Sequence, residues 1–109
     1  MPPIEQWSDR IRIVHLADDP QLSDDLHTLE KQSQSSPADA LVNFASVNFL
    51  GSSNLARLLK LRKLLVSQDR RLMLCSVNTN VWGTFLVTGL DKVFEFADDV
   101  PTGLAALQM

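Results

Sequence analysis

Ala40-Leu41-Val42-Asn43-Phe44-Ala45-Ser46-Val47-Asn48-Phe49-Leu50-Gly51-Ser52-Ser53-Asn54-Leu55 is the stretch that decides the fold. Its hydrophobic pattern changes period partway through. Ala40 to Phe44 is a short apolar run, which reads as a buried strand, and Val47 to Leu50 reads as a second short apolar segment. Gly51-Ser52-Ser53-Asn54 breaks that segment with residues that favour turns and helix starts. A helix is predicted from about residue 53 to 68, the longest in the chain. Leu55, Leu58, Leu59, Leu65 and Val66 are expected on its core face. Arg57, Lys60 and Lys63 are expected on the opposite face, with Leu64 among them.

The same alternation of periods extends in both directions. Upstream, Arg10 to Leu16 reads as a strand stopped by Asp18-Asp19-Pro20. Leu22, Leu26 and Leu29 then recur at helical spacing, so a helix is predicted over 21–33, capped by Asp19 or Ser23. The polar run from Gln32 to Pro37 reads as a surface loop. Ile4 to Trp7 is a candidate edge strand. Downstream, Arg71 to Val77 is an apolar strand, and Asn78 or Thr79 caps a helix that stops at Gly89. Lys92 to Phe96 alternates as a last strand, and Thr102 to Leu107 forms a short final helix. Helices that separate strands imply an α/β domain whose sheet is at least partly parallel.

Composition narrows the function. At 109 residues the chain is expected to be one domain, 1–109. A net charge of −3 argues against nucleic-acid binding. The charge is uneven, however: five of the seven bases in residues 55–109 lie between Arg57 and Arg70. These read either as a solvated helix face or as a patch that docks an acidic partner. No apolar stretch is long enough to cross a bilayer, and Met1 to Glu5 lacks the basic and apolar regions of a signal peptide. A cytoplasmic location is expected, with no membrane insertion. The lone Cys75 excludes an internal disulfide and reads as a small buried hydrophobe. With two histidines and one cysteine there is no metal-ligand spacing, and no cofactor is expected.

The stretch 40–55 resembles the signature of STAS domains, in particular bacterial anti-sigma factor antagonists. In that family a strand, a connection and an apolar pair lead to Asp-Ser-Ser/Thr-Gly-Leu at the head of a long helix. Here the equivalent is Gly51-Ser52-Ser53-Asn54-Leu55. Thr88-Gly89-Leu90-Asp91-Lys92-Val93-Phe94 is similar to the family's segment before the last strand. The resemblance spans about residues 10–107. It implies a mixed sheet of four to five strands with helices packed mainly on one side. It also implies that the chain is not an enzyme and binds an anti-sigma factor that is a serine kinase of the GHKL ATPase type. That kinase would phosphorylate Ser52 and a phosphatase would reset the switch. Ser53, Asn54, Arg57 and Lys60 are the accompanying contact candidates.

Two positions depart from the family pattern. Gly51 stands where the family has an acid, which removes a carboxylate from beside the acceptor hydroxyl. Asn54 stands where it has glycine, a milder change because asparagine tolerates unusual backbone angles. From residue type alone, Ser52 or Ser53 reads as a helix cap. An unphosphorylated STAS subunit of another complex, such as a lipid-transport ATPase, is the alternative that keeps the fold. His15 reads as a core histidine, Asp18-Asp19 and Asp24-Asp25 as cap and turn residues, and Trp82 as a core residue or a partner anchor. A small enzyme built on His15, Cys75 or an acid pair would require a concave pocket with perturbed titratable groups.

Overall fold

In the computed structural model, which describes residues 3–109, the apolar runs form five strands and the amphipathic runs four α-helices. The strands are β1 (Ile4–Gln6), β2 (Ile11–Ala17), β3 (Asp39–Ser46), β4 (Leu72–Cys75) and β5 (Glu95–Ala97). The helices are α1 (Gln21–Ser35), α2 (Ser52–Ser67), α3 (Thr79–Thr88) and α4 (Val100–Leu107). Strand order in the sheet follows chain order, β1-β2-β3-β4-β5, with β1 antiparallel and every other pair parallel. Parallel neighbours need a crossover connection, and α1, α2 and α3 supply the three.

Register sets the two faces. Val14 lies beside Val42, Val42 beside Leu74 and Leu74 beside Phe96, forming one row across the sheet. That row packs under α1, α2 and α3 with Leu22, Leu26, Leu58, Leu61 and Phe85. The alternate residues Ile11, Leu41, Met73 and Cys75 face the other way and are covered by α4 through Leu107. Gly103 lets α4 approach closely, since a Cβ there would lie 2.6 Å from Leu41 Cδ1. Both sheet faces are covered, which explains why β3 and β4 read as apolar runs rather than alternating ones.

Three boundaries and one buried face differ from the sequence reading. Residues 32–35 are the last turn of α1, not a loop: Ser33 is buried, and its carbonyl accepts from Gln68 Nε2 at 2.9 Å. Val47 to Leu50 is not a strand. Val47 and Leu50 bury their side chains, while the amides of Asn48 and Phe49 donate to Asp18 Oδ1 at 2.8 and 3.3 Å. A carboxylate here takes the place of a neighbouring strand. On α2 the buried face runs through Leu55, Leu58, Leu61 and Leu65, and Leu59 and Val66 are exposed. The last strand starts at Glu95, later than Lys92, because Leu90–Lys92 forms a 3₁₀ turn after the left-handed Gly89 cap of α3.

Candidate functional site

The loop after β2, the segment 47–51 and the first turn of α2 meet at one end of the sheet. Gly51, in extended conformation, is the N-cap of α2. Ser52 and Ser53 therefore lie inside the first turn and are not the cap that residue type alone favours. Both are exposed. Gly51 has no side chain to offer the orphan amides of that turn, so only the return half of a capping box forms: Gly51 N donates to Asn54 Oδ1 at 2.8 Å. The remaining first-turn N–H groups and the positive end of the helix dipole face outward beside two hydroxyls.

Asn54 occupies a different place from the one expected of a contact residue. It is 2% exposed. Its Nδ2 donates to Asp19 Oδ2 at 3.0 Å and to Ser23 Oγ at 3.4 Å, tying the head of α2 to the head of α1. The contact role predicted for Asn54 is corrected to a positioning role. Its amide is fully engaged inward, and the site's outer surface is left to its neighbours. Arg57 and Lys60 are exposed, as expected. Lys60 Nζ lies 3.3 Å from Glu30 Oε1, and Arg57 is close enough to Asp19 to help hold its carboxyl in the charged form. Both bases are thus partly answered by acids of α1 and its preceding loop.

Phe49 was missed by the sequence reading. It is 73% exposed, and its ring lies against Gly51 at the mouth of α2. The signal was present in the spacing: Val47 and Leu50 enter the core, which leaves Phe49 between them pointing out. An exposed aromatic next to two exposed hydroxyls has the composition of an interface anchor. Phe49→Ala should leave folding unchanged and weaken by about tenfold or more the binding of any protein that docks on this surface, as read by a binding titration.

Two carboxylates fasten the site. Asp18 accepts from Asn48 and Phe49 amides and from Asn48 Nδ2 at 2.9 Å, and these bonds hold its pKa below the usual range. Asp19 accepts from the Ser23 hydroxyl at 2.7 Å and the Ser23 amide at 2.9 Å, and from Asn54, and is lowered for the same reason. A carboxyl whose folded pKa is depressed adds stability above its unfolded pKa and loses it as pH falls through the folded value. The thermal midpoint is therefore expected to be level above about pH 5 and to drop below about pH 4. Asp18→Asn should flatten part of that drop in a series of melts across this range. An unchanged slope would show that Asp18 is not a fastening group.

The other candidates sit elsewhere. His15 is not in the core: its side chain is 40% exposed, with Nδ1 3.0 Å from Asn43 Nδ2 and Nε2 3.6 Å from Glu5. Cys75 is fully buried beneath α4, and burial pushes its thiol above the ordinary range. Asp19 caps α1 through the Ser23 amide, whereas Asp25 is buried within α1 and accepts from Gln21 Nε2 at 3.0 Å. Trp82 is half-buried and packs edge-on against Phe96, ring centroids 4.9 Å apart. No group of three metal-ligating side chains comes together among the described residues. No described helix is long and apolar enough to cross a membrane.

Three crossover helices on one face of a mixed five-stranded sheet, with exposed serines at the head of the second, define an α/β domain of the STAS type. The chain belongs to the STAS domain family, whose sequence model matches residues 8–103. No curated protein matches it. Solved structures share the fold. An anti-sigma-factor antagonist (STAS) domain protein from Planctomyces limnophilus superposes with a TM-score of 0.83 at 20% identity, covering 97% of this chain and 98% of that one. A serine-to-glutamate variant of RsbS from Moorella thermoacetica gives 0.78 at 16% identity, covering 97% and 96%. A chain of the stressosome, a signal integration and transduction hub, gives 0.77 at 17% identity, covering 97% and 96%.

Proposed function

We propose that this chain is an anti-sigma factor antagonist, a non-catalytic module that binds an anti-sigma factor with serine-kinase activity and is released from it by phosphorylation of Ser52. The observation that carries this reading is the head of α2: an exposed serine in the first turn of a 16-residue helix whose cap is a glycine, with the exposed Phe49 ring alongside. A phosphate added at Ser52 meets unpaired amides and the positive end of the dipole, so the helix tolerates it. The added charge of about −1.5 to −2 then acts on the docking surface instead of the fold. Ser53, Arg57 and Lys60 complete that surface. Being a binding module, the chain would need no cofactor of its own; ATP and Mg²⁺ belong to the kinase. A phosphatase would return the module to its binding form. The setting is the bacterial cytoplasm.

Gly51 favours a second reading. The carboxylate that precedes the acceptor serine in the family pattern is missing, and no acid lies in the first turn of α2. An unphosphorylated STAS subunit of another complex, such as a lipid-transport ATPase, needs no such acid. Affinity capture from the host lysate with wild type as bait separates the two, when the retained fraction is incubated with ATP and the bait mapped by mass spectrometry. Recovery of a histidine-kinase-like ATPase with phosphate on Ser52 supports the switch. Recovery of a transporter subunit with Ser52 unmodified supports the constitutive subunit.

A further inference from the structure

Asn78, at the head of α3, makes two hydrogen bonds with one side-chain amide. β4 leaves the sheet through Ser76, which stands in the left-handed region at φ 58°, a conformation uncommon outside glycine. The chain then reaches the head of α3 beside the segment that carries Phe49. Asn78 Oδ1 accepts from the Val81 amide at 2.9 Å and so caps α3. Asn78 Nδ2 donates to the carbonyl of Val47 at 2.8 Å, across 31 residues of chain. Turning the amide over would set donor against donor and acceptor against acceptor, so the two bonds together fix its orientation. Capping explains Oδ1 but not Nδ2. Residues 47–51 belong to no strand or helix, and side chains from three places hold them. Asp18 takes the Asn48 and Phe49 amides, Asn54 takes the Gly51 amide, and Asn78 holds the Val47 carbonyl.

We infer that Asn78 is a positioning residue for the docking surface: it holds residues 47–50 so that the Phe49 ring is in place before a partner arrives. This rests on the reading of the head of α2 as that surface. A loop ordered on folding does not have to be ordered again on binding, so the complex is stronger by that difference. The two bonds select asparagine over the other good caps. Serine and aspartate cap a helix about as well. An ionised aspartate has the same shape but no hydrogen to give Val47, and it would set a charged oxygen against a carbonyl. Through Asn54 and Asn78, the segment and the helix it leads into are tied to α1 on one side and to α3 on the other.

Amide hydrogen exchange of the full chain tests this without a partner, in wild type, Asn78→Asp and Asn78→Ser. Both variants keep a capping oxygen and lose the bridge, so the Val81 amide should exchange within about threefold of wild type. The Asn48 and Phe49 amides should exchange at least about tenfold faster. The Tm should fall by no more than about 4–8 °C, as for the loss of one hydrogen bond. The neutral serine variant carries the test where the charge of aspartate prevents folding. Unchanged exchange at Asn48 and Phe49, or an equal rise at Val81, would make Asn78 a cap alone and overturn the assignment. The binding arm is a double-mutant cycle, titrated with the protein that the wild-type bait retains from the host lysate. Asn78→Ser should weaken its binding about three- to tenfold, and less than about twofold where Phe49 is already alanine. An equal loss in both backgrounds would show that Asn78 does not act through Phe49. Because the exchange measurement needs no partner, the positioning role and the docking reading can fail separately.

Discussion

Ser52→Asp is expected to fold as wild type does and to lose its partner. The side chain is exposed at the first turn of α2, where no acid is present. A carboxylate there meets the positive end of the helix dipole and is worth about 0.3–1 kcal/mol of stabilisation. The Tm should therefore hold level or rise by a few degrees. Binding moves the opposite way. A charge placed on a docking surface must be desolvated or repelled, which costs several kcal/mol when the facing group is also negative. A fall in affinity of about a hundredfold corresponds to about 2.7 kcal/mol. Because the effect is electrostatic, part of it should return at high salt, whereas a steric loss would not. Ser52→Ala supplies the control and should bind within a few-fold of wild type. Wild-type affinity for Ser52→Asp at physiological salt would sink the switch and leave Ser52 as an ordinary first-turn residue.

The largest stability effect is expected at Phe85. Its ring is fully buried and packs edge-on against three others: Phe44 at 6.3 Å, Phe94 at 5.9 Å and Phe96 at 5.2 Å between centroids. Phe85→Ala removes the central ring, and the three remaining rings are held by β3 and by the start of β5, so they cannot collapse together into the space. The loss should be about 3–5 kcal/mol, a large share of the 5–15 kcal/mol typical of a small domain. Urea unfolding should show a lower midpoint with an unchanged slope. A loss below about 1 kcal/mol would mean that α3 is held by something other than this cluster. The consequence for function is indirect. α3 and α2 contribute to one hydrophobic core on the same face of the sheet, so loosening α3 would also loosen the backing of the proposed docking surface.

Comparing these two residues shows what is legible in a sequence. Val81, Trp82, Phe85 and Leu86 recur at helical spacing in α3, yet only Val81 and Phe85 are buried, Trp82 is half-buried and Leu86 is exposed. Helical periodicity fixes an angle around the axis but not the width of the buried stripe, which depends on how closely neighbours approach. The same ambiguity moved Leu59 and Val66 out of the α2 core and brought Leu61 in. Ser52 was singled out by the resemblance of Gly51-Ser52-Ser53-Asn54-Leu55 to the STAS signature; residue type alone gives a helix cap. Asn54 was mistaken for a contact because its partners, Asp19 and Ser23, are more than thirty residues away.

The sequence alone determined the α/β class, the succession of strands and helices, the stop of α3 at Gly89 and the place of the serines at the head of α2. Each rests on interactions within a few residues: apolar period, turn chemistry and capping. Only the tertiary structure decided which strand is antiparallel and that α4 covers the second face. It alone turned Asn54 inward and Phe49 outward, and buried Arg12 with no carboxylate beside it among the described residues. Those outcomes depend on groups brought together across the sheet from distant parts of the chain, where burial and desolvation, set by the whole fold, outweigh local preference.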